Sequence, residues 1–324
     1  METIYSERMY YRFENEMGPC ADELGIPRSI FRRPDVEFPI EKHYRLLECV
    51  ARSSDPHIGL TMAQNLKISD LGALGHAVAA APTVGYGLRL LAQYLYVFAH
   101  ANVLRLDVGK KYFVLGYHLT DSHLAIHQQD KEMSVSFAAM VIRELLGRDL
   151  NPSVVEFEHF RPEYHKQLEA HFGCEVLYER ATNGLQYPVR VLELPTTGSD
   201  PSLLQALEFY LADRLKLRAE DDDLLAKVNH LIANSLNDGV PEIEAIARAL
   251  GLSRRTLQRR LSDVDKVFSD LVDGVRREIA VDYVNHSDHS LTDIALMLGY
   301  QEASSFSRAF RRWAGVSPQQ LRDS

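Results

Sequence analysis

The stretch IARALGLS at residues 246–253 occurs a second time, as IALMLGYQ, at residues 294–301. Each copy leads into a segment dense in arginine, Ser253–Leu261 after the first and Ala303–Arg312 after the second. A short helix, a turn at glycine and a second helix form the sequence pattern of a helix-turn-helix. Because such a unit places its second helix in the major groove, two in tandem predict a protein that reads two successive stretches of DNA.

The second helix of each predicted unit has an apolar and a polar face. Leu257 and Leu261 stand four residues apart and are expected to pack on the preceding helix. Phe306 and Phe310 have the same spacing in the second unit. Arginine can bond guanine O6 and N7, and glutamine adenine N6 and N7, while other arginines bind phosphate. The candidate DNA-binding residues are therefore the outward ones: Arg254, Arg255, Gln258, Arg259, Ser304, Ser305, Arg308, Arg311 and Arg312.

The alternative interpretation is that these arginines are solvated side chains on ordinary helical hairpins. The repeat argues against it, because Arg259 and Arg308 occupy the same position relative to the apolar pair of their helices. Chance does not readily place two packing stripes and two arginines in register. DNA binding is the leading hypothesis.

Charge is unusual for a DNA-binding protein, which commonly has a basic surface. The chain has a formal net charge of −9, and residues 222–324 hold 13 Lys+Arg against 15 Asp+Glu. Four arginines nevertheless fall within residues 254–260 and three within residues 308–312. We therefore expect a local basic face on an acidic body, with modest non-specific affinity for DNA.

Length and composition indicate an ordinary globular protein. With 324 residues, 46% hydrophobic and 25% charged, the chain is long enough for two domains. No signal peptide is evident, and no apolar run approaches the roughly 18–20 residues of a membrane span. Cys20, Cys49 and Cys174 are odd in number and scattered, which argues against a disulfide framework or a CxxC zinc site. We expect a protein of the bacterial cytoplasm, associated with the nucleoid when bound, with no membrane partner.

The expected fold is an α+β N-terminal sensor domain followed by an all-α domain with two helix-turn-helix units. We place the first domain at residues 1–195, a linker with an amphipathic helix at 196–222 and the second domain at 223–324. Helical periodicity is predicted in the N-terminal part at His57–Leu66, Val84–Ala101 and Glu132–Leu146, and in the linker at Ser202–Leu217. Strands are predicted at Val103–Val108, Tyr112–Leu119, Leu124–His127, Val154–Phe157, Glu175–Tyr178 and Gln186–Leu194.

Further helices are predicted through the C-terminal part. They are Leu224–Leu236, Pro241–Leu250, Ser253–Leu261, Phe268–Asn285, Thr292–Leu298 and Ala303–Trp313. Ser253 is expected to cap one of them, and Ser290 or Thr292 another. In the linker helix, Leu204, Leu207 and Leu211 form a stripe that either docks on its own domain or pairs with a second copy.

A set of residues with a distinctive spacing spans residues 224–324. It comprises Ile246, Ala247, Gly251, Ser253, Leu257, Arg259, Arg276, Ala280, Ile294, Ala295, Gly299, Tyr300, Phe306, Ser307, Arg308, Phe310, Gly315, Val316, Ser317, Pro318 and Arg322. With these residues the segment closely resembles the DNA-binding domain of the AraC/XylS family of bacterial transcription regulators. The resemblance implies two helix-turn-helix units joined by one helix and inserted in adjacent major grooves. It implies base contacts from Arg255, Gln258, Arg259, Ser304, Ser305 and Arg308.

Two positions depart from the family pattern. Asp265 stands where the family usually has glycine, and Val267 where a small polar residue is common. The N-terminal part is similar to the arabinose-binding-like partner domain of the same family. That similarity rests on residues 72–77, 81–83, 143–147, 152, 155–159, 162 and 172–174.

The resemblance implies an effector-sensing and dimerising N-terminal domain. We expect an effector-responsive activator, whose partners are double-stranded DNA, a small-molecule effector, RNA polymerase and a second copy of the chain. Leu90, Tyr94 and Phe98 are equally consistent with an effector pocket and with a core helix.

Enzymatic and metal chemistry receive little support from the sequence. His118, His123 and His127 have no nearby cysteine or carboxylate cluster, and His159 is better explained by packing or hydrogen bonding than as a base. No phosphate-binding loop or nucleophile motif is present. We expect no enzyme activity, metal or cofactor. The alternatives are a DNA-binding domain fused to an N-terminal enzyme, and a constitutive regulator without a small-molecule effector.

Overall fold

The computed structural model of the chain describes residues 3–5, 9–33, 36–95, 102–119, 127–180, 182–218, 224–236, 239–287 and 289–323. The chain divides into two compact units. The first comprises Met1–Leu104 and Leu115–Leu211, and the second Arg105–Val114 and Ala212–Ser324. The second unit is therefore discontinuous in sequence, because it includes ten residues from the N-terminal half.

The structure describes seven helices in the N-terminal part and an eighth that leads toward the C-terminal part. They are α1 (Glu14–Glu23), α2 (Ile40–Ser53), α3 (Ile58–Asn65), α4 (Gly72–Ala79), α5 (Val84–Tyr94), α6 (Gln128–Leu146), α7 (His165–Phe172) and α8 (Pro201–Arg218). Short 3₁₀ helices lie at Arg28–Phe31, Ile68–Leu71, Pro162–Tyr164 and Val189–Glu193.

The described strands form two sheets. They are β1 (Thr3–Tyr5), β2 (Glu37–Pro39), β3 (Asn102–Val108), β4 (Tyr112–Leu119), β5 (Val154–Glu156), β6 (Glu175–Leu177) and β7 (Asn183–Pro188). β1 and β2 form an antiparallel pair, and the other strands form a sheet in the order β3-β4-β7-β5-β6. Val155 pairs with Leu185 in the antiparallel β5–β7 ladder and with Val176 in the parallel β5–β6 ladder.

The α+β expectation for the N-terminal part is confirmed, with one error in the sheet. The sequence predicts a strand through Gln186–Leu194, but β7 ends at Pro188 and a 3₁₀ helix follows at Val189–Glu193. Proline has no N–H to donate to a strand ladder, so pairing ends where it occurs. Residues 124–126 of the predicted strand Leu124–His127, and residues 96–101 of the predicted helix Val84–Ala101, lie outside the described residues.

The core of the first unit includes a pair of cysteines that the sequence does not bring together. Cys20 on α1 and Cys49 on α2 form a disulfide, with Cα atoms 6.0 Å apart. The expectation that the scattered cysteines form no disulfide is wrong for this pair, because α1 and α2 pack on each other and remove their separation in sequence. Cys174 is free.

The first turn of α6 is polar yet buried. Asp130 lies between His43, whose Nε2 is 3.0 Å from Oδ1, and Tyr117, whose hydroxyl donates to Oδ2 at 2.5 Å. Burial, together with the charge of Asp130, raises the pKa of Tyr117 well above its usual value, so its hydroxyl stays protonated and donates. Two residues on, Glu132 accepts hydrogen bonds from Arg161 at 2.9 and 2.7 Å. Each buried charge thus has a partner, as burial demands.

Helix α8 begins in the first unit with one face packed. Leu204 and Leu211 are buried and Leu207 is half-buried within the single chain, as expected for a stripe that docks on its own domain. The Tyr86 hydroxyl on α5 donates to Glu208 on α8 at 2.7 Å and fastens the two helices.

The second unit contains the helical region that the repeat predicts. Its helices are α9 (Leu224–Ser235), α10 (Ile243–Ala249), α11 (Arg254–Ser262), α12 (Phe268–His286), α13 (Leu291–Met297), α14 (Ala303–Ala314) and α15 (Pro318–Arg322). The long helix α12 packs against α9, α13, α14 and α15. In the parts of the chain that the structure describes, no helix has both the length and the apolar composition that crossing a bilayer requires.

Candidate nucleic-acid interface

The two helix-turn-helix units have the same turn. Gly251, two residues after the end of α10, has a φ of +68°, and Gly299, two residues after the end of α13, has a φ of +74°. After each glycine the next amide reaches back over the turn: Leu252 N–H donates to Ala247 O at 2.8 Å, and Tyr300 N–H to Ala295 O at 2.8 Å. This glycine-terminated geometry satisfies the last carbonyl groups of the helix and sends the chain into the next one. The sequence repeat is therefore also a structural repeat.

The recognition helix of the first helix-turn-helix, α11, is capped by the serine that precedes it. Ser253 Oγ accepts a hydrogen bond from Thr256 N–H at 3.1 Å, as the sequence predicts. Leu257 and Leu261 on the inner face are 0% and 1% exposed. In the second helix-turn-helix, Ser290 is the one of the two predicted caps that is observed: its Oγ accepts a hydrogen bond from Asp293 N–H at the start of α13.

The recognition helix of the second helix-turn-helix, α14, is supported by aromatic packing. Phe306 and Phe310 are buried, with ring centroids 5.7 Å apart in an edge-to-face arrangement. Tyr300, in the turn before the helix, lies 5.9 Å from the Phe306 ring. The apolar pair expected to pack against the preceding helix is thus on the inside, which leaves the opposite face to solvent.

All nine candidate DNA-binding residues lie on these two helices. Eight are exposed and Ser305 is half-buried. Two of the arginines have carboxylate partners within the unit: Arg254 pairs with Glu244 at 2.5 Å, and Arg312 with Asp273 at 2.6 Å. Exposed ion pairs of this kind contribute little to stability, so either guanidinium can exchange its partner for a phosphate at small cost.

The polar face of α14 is organised by short-range contacts. The Arg308 guanidinium donates to Ser305 Oγ at 3.2 Å, and the Ser304 hydroxyl to Glu302 Oε2 at 3.0 Å. Ser305 and Arg308 are one helical turn apart, so the hydrogen bond holds the arginine along the outer face. Serine and arginine together offer donors and acceptors to base edges.

Comparison with known proteins identifies both parts of the chain. Residues 16–196 match the family described as the arabinose-binding domain of AraC transcription regulator, and residues 246–324 match a helix-turn-helix domain family. The chain belongs to the AraC-type transcription regulators. As such it is a DNA-binding transcription regulator, and double-stranded DNA is its partner.

Relatives of this AraC-type regulator align over most of its length. The HTH-type transcriptional regulator VirS of Mycobacterium tuberculosis is 30% identical, over 94% of this chain and 90% of the relative. The ornithine utilization regulator of Pseudomonas aeruginosa is 28% identical, over 84% and 80%. Among solved structures, the transcriptional regulator CdpR of Pseudomonas aeruginosa aligns with a TM-score of 0.47 and 23% identity, over 95% of this chain and 97% of that one.

A buried arginine supports the second helix-turn-helix of the AraC-type domain. Arg276 on α12 donates from Nε to Leu298 O at 2.9 Å, and its guanidinium stacks 4.4 Å from the centroid of the Tyr300 ring. Burial lowers its pKa, yet an arginine remains charged at neutral pH. Arg276 therefore fixes the end of α13 and the turn before α14. In the sequence Arg276 is one of the residues that carry the resemblance to the AraC/XylS family, but its role in supporting this turn is not predicted there.

The two departures from the family pattern both lie between α11 and α12. Asp265 has a φ of +54°, in the left-handed region where glycine is favoured, and its N–H donates to Ser262 O at 3.0 Å. The turn therefore keeps the shape that glycine gives, since aspartate tolerates this conformation better than most residues. Val267 is the N-cap residue of α12, is 60% exposed and offers no side-chain acceptor.

Replacing Val267 with serine is expected to stabilise the second unit by about 1 kcal/mol. A serine hydroxyl can accept a hydrogen bond from a backbone N–H in the first turn of α12, which the valine side chain cannot do. The check is the midpoint of urea unfolding, with Val264→Ser as the control because Val264 is also exposed but lies outside a cap position. An equal shift in both variants would exclude capping as the cause.

The histidines considered as metal ligands or bases, and the apolar residues considered as a pocket, take part in packing or hydrogen bonding wherever the structure describes their side chains. His127 stacks on Tyr44 at 4.8 Å between centroids, and burial lowers its pKa. His159 Nε2 lies 3.2 Å from Glu132 Oε1. Leu90 and Tyr94 are buried in α5. His123 and Phe98 lie outside the described residues.

Proposed function

We propose that this AraC-type regulator reads two successive major-groove segments, one with α11 and one with α14. The observation that carries the proposal is the repeated unit, in which the same glycine turn precedes each helix and an apolar pair faces inward. The residues proposed to contact DNA are Arg254, Arg255, Gln258, Arg259, Ser304, Ser305, Arg308, Arg311 and Arg312.

The roles within this set follow from side-chain chemistry. Arg255, Gln258 and Arg259 carry the fixed donor and acceptor geometry that reads guanine and adenine in the major groove. Arg308, held by Ser305, has the same role on α14. The ion-paired Arg254 and Arg312, with Arg311, are proposed to bind phosphate and to set the register on the duplex.

We further propose that a small molecule bound in the N-terminal domain controls DNA binding and makes the regulator an activator. The match of residues 16–196 to an arabinose-binding domain supports an effector there. The name of the Pseudomonas relative, an ornithine utilization regulator, supports a metabolite as its class. An effector acts by binding one conformation more tightly than another.

The proposed organisation assigns effector sensing and dimerisation to residues 1–195, a linker to 196–222 and DNA binding to 223–324. An activator of this kind recruits RNA polymerase, and a second copy of the chain would double the length of DNA that is read. We place its action in the bacterial cytoplasm, on the nucleoid.

The direct test is selection of the full-length chain against random duplex DNA, followed by sequencing of the bound pool. The expected result is a motif in two parts, whose centres lie about 10 base pairs apart because one helical turn separates adjacent major-groove segments on one face. A motif with one part only would contradict the tandem reading. A pool without enrichment, with or without cell metabolites, would contradict the function.

Alanine at Arg259 or at Arg308 is expected to weaken binding to the selected site by about 1–3 kcal/mol and to relax base preference in one part of the motif. Arg259→Ala should affect the first part and Arg308→Ala the second. The measurement is a binding titration with duplexes altered at single base pairs, and Arg148→Ala is the control because Arg148 is an exposed arginine outside the second unit. An equal loss on all sequences would reassign that arginine to phosphate.

A further inference from the structure

A buried charged cluster joins a β-hairpin to the second helix-turn-helix. Arg105 and Asp107 lie on β3, two residues apart and therefore on one face of the strand. Arg105 Nε donates to both Asp107 oxygens, at 2.9 and 2.7 Å. The Tyr283 hydroxyl, from the C-terminal half of α12, donates to Asp107 Oδ2 at 2.5 Å. The Arg105 guanidinium also lies 5.3 Å from the centroid of the Tyr283 ring.

The members of this cluster are almost completely withdrawn from water. Arg105 is 6% exposed, and Asp107 and Tyr283 are 1% exposed. Burying a charged pair gains little net stability, because lost hydration offsets the attraction between the charges. Its hydrogen bonds do require a definite geometry. A cluster of this kind is therefore better suited to fixing the position of α12 against the hairpin than to adding stability.

A second contact lies at the tip of the same hairpin. Lys110 N–H donates to Asp293 Oδ1 at 3.2 Å, while Asp293 Oδ2 accepts from the Ser290 hydroxyl at 2.6 Å. Gly109 approaches closely as well, since a Cβ there would lie 3.2 Å from Asp293 Oδ1. Asp293 is in the first turn of α13. The hairpin thus holds both sides of the α12–α13 connection.

We infer that the hairpin Arg105–Val114 is a positioning element for DNA recognition by the second helix-turn-helix. It fixes the end of α12 and the start of α13, and α14 packs on both of these helices. Hydrogen bonds to base edges weaken steeply once donor and acceptor leave their narrow range of distance and angle. A small tilt of α13 would therefore change how Ser305 and Arg308 meet the bases. The inference rests on the proposed reading of two major-groove segments.

The test uses Tyr283→Phe in the full-length chain. This variant removes the hydroxyl bonded to Asp107 and keeps the ring beside Arg105. Binding is measured on three duplexes: the complete selected site, one with its first part scrambled and one with its second part scrambled. Tyr112→Phe is the matched control, because Tyr112 is an exposed tyrosine of the same hairpin.

The expected result is an approximately tenfold loss of affinity for the complete site, corresponding to about 1.4 kcal/mol. The penalty for scrambling the second part should shrink, while that for the first part stays as in the wild type. Asp107→Ala combined with Tyr283→Phe should lose no more than Asp107→Ala alone, because the acceptor of the Tyr283 hydroxyl is then already absent. A purely structural role would lower thermal stability and leave the two scrambling penalties in their wild-type ratio, which would overturn the inference.

Amide hydrogen exchange without DNA separates failure of this inference from failure of the proposed function. Tyr283→Phe should speed exchange in α13 relative to α10, whatever the wild-type chain binds. Unchanged exchange in α13 would overturn the inference. If exchange changes as expected but the wild-type chain tolerates scrambling of either part, the two-segment reading is overturned together with the recognition role of the hairpin.

Discussion

Replacing Asp130 with alanine is expected to lower the free energy of unfolding of the first unit by about 3–5 kcal/mol, because the loss of one partner strands the others in the interior. Asp130 and His43 are both 0% exposed. Without the carboxylate, His43 Nε2 and the Tyr117 hydroxyl both lose the hydrogen-bond partner that they share. The substitution also affects Tyr10, because His43 Nδ1 lies 2.6 Å from the Tyr10 hydroxyl and a shift of the imidazole ring would disturb this hydrogen bond.

Urea unfolding of the full-length chain, followed by circular dichroism, measures this loss. Asp149→Ala is the matched control, because it removes an exposed carboxylate that follows the same helix. Asp130→Asn is expected to fall between the two, since an amide retains one acceptor oxygen but turns a donor toward the other partner. An Asp130→Ala chain as stable as the control would contradict the account of this buried network.

Replacing Phe306 with alanine is expected to destabilise the second unit by about 3–5 kcal/mol, through lost transfer free energy and the cavity left behind. Its ring is fully buried against Phe310 and close to Tyr300, so the deletion removes the inner support of α14. Binding to the second part of the DNA motif should disappear, while contacts made by α11 persist.

Phe160→Ala is the control for this variant, because Phe160 is 60% exposed. Calorimetry of both variants gives the stability change. Titrations with duplexes scrambled in one part show which contacts survive. Equal loss of binding to both parts would mean that the first helix-turn-helix does not keep its structure when the second one is disrupted.

Local patterns predicted much of the second unit. The spacing of Leu257 and Leu261 assigned the inner face of α11, and the glycine after each short helix gave the turn. Caps such as Ser253 could be predicted because capping depends on neighbours within one helical turn. The nine candidate residues fall on the outer faces of the expected helices for the same reason, and their contacts with DNA remain a prediction.

Features that depend on distant residues could not be predicted. The sequence around Asp107 has the alternation of a strand, but nothing in it points to Tyr283. Helices α1 and α2 were not predicted, and neither was the Cys20–Cys49 pair that their packing creates. Asp130 and Glu132 are charged residues at a helix start, where solvent exposure is the usual expectation. Their burial follows only from the partners that other segments supply.

The buried cluster of Arg105, Asp107 and Tyr283 also has a consequence for synthesis of the chain, because its members are made at different times. Asp107 and Tyr283 are 176 residues apart. At a translation rate of about 5–20 residues per second, the tyrosine follows the aspartate by roughly 10–35 s. During this interval the nascent chain presents Arg105 and Asp107 without the helix that covers them. The hydrogen bond between Tyr283 and Asp107 can therefore form only after α8–α11 and most of α12 have been synthesised.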